Sequence, residues 1–177
     1  NDITRRIFSD SKDRIWISYW INAVSILDTK NNRLKHFKFA STDKEILNNT
    51  ITTIFEDENN TVWLGSKSNE IIAFDSNLNF KKYTSANSKF KGKTVRGFFN
   101  YNDKLVLHYN SKMALDSDNA GTWIDYAGTY DPRDAQTKIQ SIEANQNFYF
   151  TTSAGVKKID GGIIKSSGVA VALGGTG

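Results

Sequence analysis

The chain contains no cysteine, one proline (Pro132), one methionine (Met113) and two histidines, His36 and His108. The lack of cysteine excludes a disulfide framework and a thiolate metal site. It does not choose a compartment, since many periplasmic domains also dispense with cysteine. No window approaches the roughly 18 apolar residues that a membrane-spanning helix needs, and no signal peptide is visible. A start at Asn1 with the only methionine internal reads as a processed or excised piece. Neither sign of charge dominates. Residues 1–92 hold fourteen Lys/Arg against eleven Asp/Glu, the rest nine against eight, and the formal net charge is +4. So even a balance argues against a nucleic-acid partner. No HExxH, glycine-rich phosphate loop or nucleophile elbow occurs. No short-spaced His/Cys/Asp set offers metal ligands. The sequence therefore gives no reason to expect catalytic residues, a metal, a cofactor or membrane insertion in this segment.

What is present is one domain's worth of chain: 177 residues, 38% hydrophobic, with eleven Phe, seven Tyr and four Trp. Mixed charge spread along the chain argues against disorder. A run "RIWISY" around Trp16 returns as "TVWLGS" around Trp63, "KLVLHY" around Val106 and "NFYFTT" around Tyr149, at spacings of 47, 43 and 43 residues. The upstream partners are "RRIFSD", "TTIFED", "RGFFNY" and "QSIEAN". The downstream partners "VSILD", "IIAFD", "KMALD" and "VKKID" end on Asp28, Asp75, Asp116 and Asp160. A fourth run closes each copy: "RLKHFKF", "NFKKYT", "TWIDY" and "GIIKSS". Runs of four to seven residues with period-2 or near-continuous apolar character are strands. The Asn/Asp-rich gaps between them are turns. "STDKEILNN" is the only helix-like segment.

The unit is thus four antiparallel strands in about 43–47 residues, the signature of a β-propeller blade. The expected fold is all-β: one propeller domain over residues 1–177 with four units, about 1–40, 48–84, 93–127 and 136–173. The first strand of each unit should lie nearest the axis. The second should be the most buried, which explains Trp16, Trp63, Val106 and Tyr149. Two positions later stand Ser18, Gly65 and Thr151, small residues where a neighbouring backbone presses close. His108 fills that slot in the third unit and reads as a packed, hydrogen-bonded histidine. The terminal aspartates read as turn starters.

"ITTIFEDENNTVWLGSKSNEIIAFD" strongly resembles the two-component regulator propeller repeat, and "RIFSDSKDRIWISYWINAVSILD" matches the same pattern with a less typical "SYWINA". The resemblance covers roughly residues 1–90. It implies a periplasmic or extracellular sensor propeller of the kind found in hybrid two-component systems of gut Bacteroidetes. It is specific for the fold and weak for ligand identity. "ALDSDNAGTWIDYAGTYD" resembles a degenerate Asp-box hairpin, with Asp116, Asp118, Ala120 and Thr122 at the motif places before Trp123 and the Ser and Gly positions departing. Residues 98–177 resemble propeller portions of tailed-phage tail proteins. Two resemblances in one chain point either to a chimera, joined near Ser85–Thr94, or to divergence among blades.

An enzyme reading finds little support. Arg5, Arg6, Arg14, Arg33, Arg96 and Arg133 read as not recurring at one blade position, so no sialidase-like arginine cluster is expected. Glu56, Asp57 and Glu58 read as a solvated hairpin turn rather than paired catalytic carboxylates. A binding reading fares better. Loops joining strand two to three, and blade to blade, gather on one face. There Tyr19 and Trp20 could stack on a sugar, with Asn22, Lys67, Asn69, Asn110 and Lys112 as polar neighbours. The opposing reading makes Trp20 a cover for the core rim. The run "KFKGKTVR", with Lys89, Lys91, Lys93 and Arg96, reads first as a solvated loop. The tail run Val169–Leu173 is a candidate closing strand. If it does not close the ring, open blade edges invite self-association. Three functions compete: a ligand-sensing propeller for an oligosaccharide, a phage tail attachment domain, and a recombined propeller without an evolved ligand.

Overall fold

The computed structural model describes residues 4–20, 23–38, 50–67, 70–84, 86–88, 94–101, 104–109, 112–116, 123–125, 141–144, 147–152, 155–160 and 163–166. They form sixteen strands in four antiparallel sheets, each in sequence order. Blade 1 holds β1 (Thr4–Ser9), β2 (Arg14–Tyr19), β3 (Ala23–Asp28) and β4 (Arg33–Lys38). Blade 2 holds β5 (Ile51–Glu56), β6 (Val62–Ser66), β7 (Ile71–Phe74) and β8 (Phe80–Tyr83). Blade 3 holds β9 (Val95–Tyr101), β10 (Lys104–Tyr109), β11 (Lys112–Asp116) and β12 (Trp123–Asp125). Blade 4 holds β13 (Ser141–Ala144), β14 (Asn147–Thr152), β15 (Gly155–Asp160) and β16 (Ile163–Ser166). The helix-like segment 41–49, the tail run 169–173, and Asp118, Ala120 and Thr122 lie outside the described residues.

The turns explain why these strands end where they do. Asp10 Oδ1 accepts the backbone N–H groups of Lys12 and Arg14 at 3.0 and 2.9 Å. In blade 2, Asp57 Oδ1 accepts those of Asn59 and Thr61, both at 2.9 Å. Each hairpin then needs one left-handed residue, supplied by Asp13 (φ 58°) and Asn60 (φ 59°), types that tolerate that region. The second carboxylate oxygen reaches back to the strand: Trp16 Nε1 donates to Asp10 Oδ2 and Trp63 Nε1 to Asp57 Oδ2, both at 2.7 Å. The terminal aspartates behave as expected where they are described. Asp28 accepts from Lys30 N and Asn31 N, and Asp75 from Asn77 N and Asn79 N.

Blade 2 buries its second strand between its two neighbours. Phe8, Trp16 and Ile26 face one way, onto Val62, Leu64, Ile72 and Phe74 of blade 2. Trp63, Ala73 and Phe55 of blade 2 face the other way, onto Val95, Phe98 and Leu107 of blade 3. First strands are neighbours, β1 beside β5 and β5 beside β9, as the innermost strands of adjacent blades must be. Gly65 carries out its expected role: a Cβ there would lie 2.7 Å from Val95 Cβ and 2.8 Å from Thr53 Cγ2. His108 is 1% exposed, packed as expected.

Two details depart from a strict repeat. Val106 pairs with Phe99 and Tyr149 with Ile142, seven residues apart, whereas Trp16 pairs with Phe8 and Trp63 with Phe55, eight apart. The first hairpins of blades 3 and 4 are shorter by one residue. In blade 4 the upstream run is therefore set one place later than its spelling suggests, with Ile142 in the place of Phe8. A one-residue slip exchanges the faces of a strand, so the shorter turn decides which side chains face the core. The second departure is the far face of blade 1. Ile15, Ile17 and Leu27 are half-buried there, while Val62, Leu64 and Phe74, at the same places in blade 2, are fully covered by blade 1.

Two measurements test this account. Gly65→Ala should destabilise the chain by about 1–3 kcal/mol in urea unfolding, the scale of overpacking. Val95→Ala should cost less in that background than in the wild type, because it removes a Val95 methyl that the methyl of the new alanine would otherwise meet. The second concerns Asp10. Burial works to raise its pKa, but hydrogen bonds from the Trp16 indole and from Arg14, with the charge of Arg14, outweigh burial and hold it below the ordinary carboxylate value. Its stabilisation is therefore complete above the unfolded value of about 3.9 and fades as pH falls through the lower folded value. The urea midpoint should drop between pH 5 and pH 2, and Asp10→Asn should flatten that drop.

Candidate functional site

At the start of the first strand in blades 1, 2 and 3 the pairing slips by one residue. Thr4 pairs with Tyr19 but Arg6 with Ser18; Ile51 pairs with Ser66 but Thr53 with Gly65; Val95 pairs with Tyr109 but Gly97 with His108. The extra residues of these bulges are Arg5, Thr52 and Arg96. A bulge bends the strand and re-aims the unpaired side chain. Contrary to the sequence reading, two of the arginines do recur at one blade position, Arg5 and Arg96. In blade 2 the same place is held by Thr52, whose hydroxyl bonds to the carbonyls of Gly65 (3.0 Å) and Val95 (2.6 Å) across the seam. Next to it, Arg6 Nε donates to Thr52 O at 3.0 Å and ties blade 1 to blade 2.

Arg5 is the residue that sequence reasoning missed. Its Nε and Nη1 are buried without a hydrogen-bond partner, and its Cζ stands 5.0 Å from the centre of the Trp20 ring. Burial, then the neighbouring charge of Arg6, hold its pKa below the ordinary guanidinium value. From the next blade Lys67 brings its Nζ to 5.9 Å from the same ring. Trp20 itself is 55% exposed, and its carbonyl accepts the Thr50 hydroxyl at 3.3 Å. The rim is thus an accessible indole attended by two cations from two blades. The repeated "RRIF", "TTIF" and "RGFF" spelling carried the only signal that could have found Arg5.

Of the residues expected at this site, the structure brings Trp20 and Lys67 together. Tyr19 turns away. Its hydroxyl donates to Ser25 Oγ at 3.0 Å, and Ser25 Oγ lies 2.6 Å from His36 Nδ1. Adjacent strand residues point to opposite faces, so Tyr19 and Trp20 do not form one platform. The Ser25–His36 contact does not make a nucleophile, because Ser25 is 1% exposed. Asn22, Asn69 and Asn110, and the side chain of Lys112, lie outside the described residues. Glu56 is spent between blades: its carboxylate accepts Ser11 N and Ser11 Oγ, both at 2.7 Å. Among the described residues no group of three or more His, Cys, Asp or Glu could hold a metal ion. No helix there is long and apolar enough to cross a membrane.

Similar architectures are known. A catalytically inactive variant of virginiamycin B lyase from Staphylococcus aureus, with quinupristin, superposes with a TM-score of 0.68 at 14% identity, over 93% of this chain and 55% of that one. The extracellular domain assigned to a hybrid two component system of B. thetaiotaomicron gives 0.63 at 16% identity, over 89% of this chain and 21% of that one. One assigned to a one component system of the same organism gives 0.60 at 16% identity, over 89% and 24%. The fold is a β-propeller. Residues 45–68 match the family model described as two component regulator propeller. That segment contains β5 and β6 of blade 2, with the Asp57–Trp63 bond inside it. The propeller chain spans about half the length of the lyase and about a fifth of the hybrid-system domain. No curated protein matches it in sequence.

The rim makes a direct prediction. Trp16, Trp63 and Trp123 are 0%, 3% and 3% exposed, against 55% for Trp20. Acrylamide should therefore quench Trp20 selectively. Trp20→Phe should remove most of the quenchable emission, with stability changed by less than about 0.5 kcal/mol.

Proposed function

We propose that this propeller is a non-catalytic binding module of an extracytoplasmic sensor, periplasmic or extracellular, and that its ligand is an oligosaccharide taken at the Trp20 rim. One observation carries the reading: a half-exposed indole flanked by cations from two blades. An indole face stacks on the C–H face of a sugar ring, and cations beside it favour a sugar bearing an acid group. Asn22, Asn69, Asn110 and Lys112 are the proposed polar anchors around it. The match of residues 45–68 to a regulator propeller supports the sensing role. A titration followed by tryptophan emission, with neutral and acidic oligosaccharides, tests the proposal. Trp20→Ala should weaken the best ligand at least about tenfold, the order expected for loss of a stacking surface. Equal affinity in wild type and variant would dismiss the rim as the site.

A second observation supports self-association. Ile7 and Leu34 on the far face of blade 1 are 70% and 64% exposed. Tyr149 is half-buried, although Trp16 and Val106, at the same place in their blades, are fully covered. We propose that blade 1 of one copy packs on blade 4 of another, a head-to-tail contact that closes with two copies. Light scattering should give a dimer that Ile7→Lys with Leu34→Lys converts to monomer. A monomeric wild type would refute this pairing.

A further inference from the structure

On the face opposite Trp20 a crevice of about 260 Å³ opens between the β3–β4 turn of blade 1 and the β7–β8 turn of blade 2. Arg14, Arg33 and Lys35 line it, with one carboxylate, Asp28. That carboxylate is occupied by its own turn, accepting Lys30 N, Asn31 N and Asn31 Nδ2 at 2.7–3.1 Å. Asp10 is likewise held by Arg14 Nε at 2.6 Å and the Trp16 indole. Asp75, which starts the neighbouring turn, caps Asn77 and Asn79. These bonds fix the carboxylates in place without neutralising them; in the lining itself three cations stand against the one carboxylate of Asp28. Arg33 and Lys35 form no ion pair among the described residues.

Two further features point inward. Arg14 is 6% exposed; its Nη1 donates to Ser76 O at 3.0 Å, but its Nη2 is buried without any acceptor. A charged N–H left in that condition is costly, and persists where something else benefits. Leu78, which closes the crevice, has a φ of 65°. The corresponding turn of blade 1 uses Asn32, φ 49°, for its left-handed place. A bulky residue in that region is strained, and such strain gathers at ligand clamps.

We propose that this crevice binds a small molecule through one oxyanion group, a phosphate, sulfate or carboxylate. Guanidinium groups suit such groups by their forked donors. The volume lies just under the usual range of about 300–1,000 Å³ for small-molecule sites, so an anion or an acidic monosaccharide fits and a longer chain does not. The site is independent of the Trp20 rim and stands whether or not a sugar binds there.

Equilibrium dialysis with inorganic phosphate at constant ionic strength tests it, using the whole chain. Saturable binding of one phosphate per chain is expected, displaced by sulfate but not by chloride. Arg33→Gln with Lys35→Gln should weaken it at least tenfold. Both replaced residues are exposed, so the urea midpoint should hold. Trp20→Ala should leave phosphate binding unchanged. Glucose 6-phosphate binding more tightly than phosphate would assign a sugar-borne anion, and equal binding a free one. No saturable binding up to about 20 mM, or an unchanged affinity in the double variant, would overturn the proposal.

Discussion

The indole N–H groups of Trp16 and Trp63 are buried in the middle of the seams between blades, and each is bonded to the carboxylate of the hairpin that starts its own strand. An indole can fill a seam only if its N–H finds an acceptor there. A carboxylate can approach a seam only if donors hold it charged. The aspartate satisfies both conditions, since its other oxygen takes two backbone N–H groups of the turn. Turn geometry and seam packing are thereby one structure. The length of the hairpin sets the register, the register sets the face, and the face sets which blade is met.

The same economy shapes the surface charge. The formal charge is only +4, yet both crowded ends of the first two blades present cations. The reason lies in where the acids go. Asp10, Asp28, Asp57 and Asp75 cap turns, and Glu56 joins neighbouring hairpins. Lysine and arginine have no comparable structural duty in tight turns, because they cannot accept from backbone N–H groups. So Arg5 and Lys67 are left beside Trp20, and Arg33 and Lys35 beside Arg14.

The bulges add a second kind of control. Inserting one residue at the start of a first strand takes a side chain out of the alternation and leaves it aimed along the rim. Threonine at that place joins two blades through the carbonyls of Gly65 and Val95. Arginine at the same place supplies a cation under Trp20. One backbone device serves cohesion in one blade and recognition in another.

Strand identity, blade period and the burial of second strands could be read directly from residues, because period-2 alternation and Asn/Asp turns are local properties of the chain. Gly65 could be read too, since a glycine among large residues of a buried strand marks a place without room for a side chain. What only the folded molecule decided was which side chains meet. Arg5 became a site residue through a bulge and a ring contact with a tryptophan fifteen residues on. Tyr19 left the site because neighbours on a strand diverge. Arg14, Arg33 and Leu78 became one crevice because the turns of two blades stack side by side. Alternation along a strand is written in order, whereas proximity between blades depends on register and stacking, which no single stretch contains.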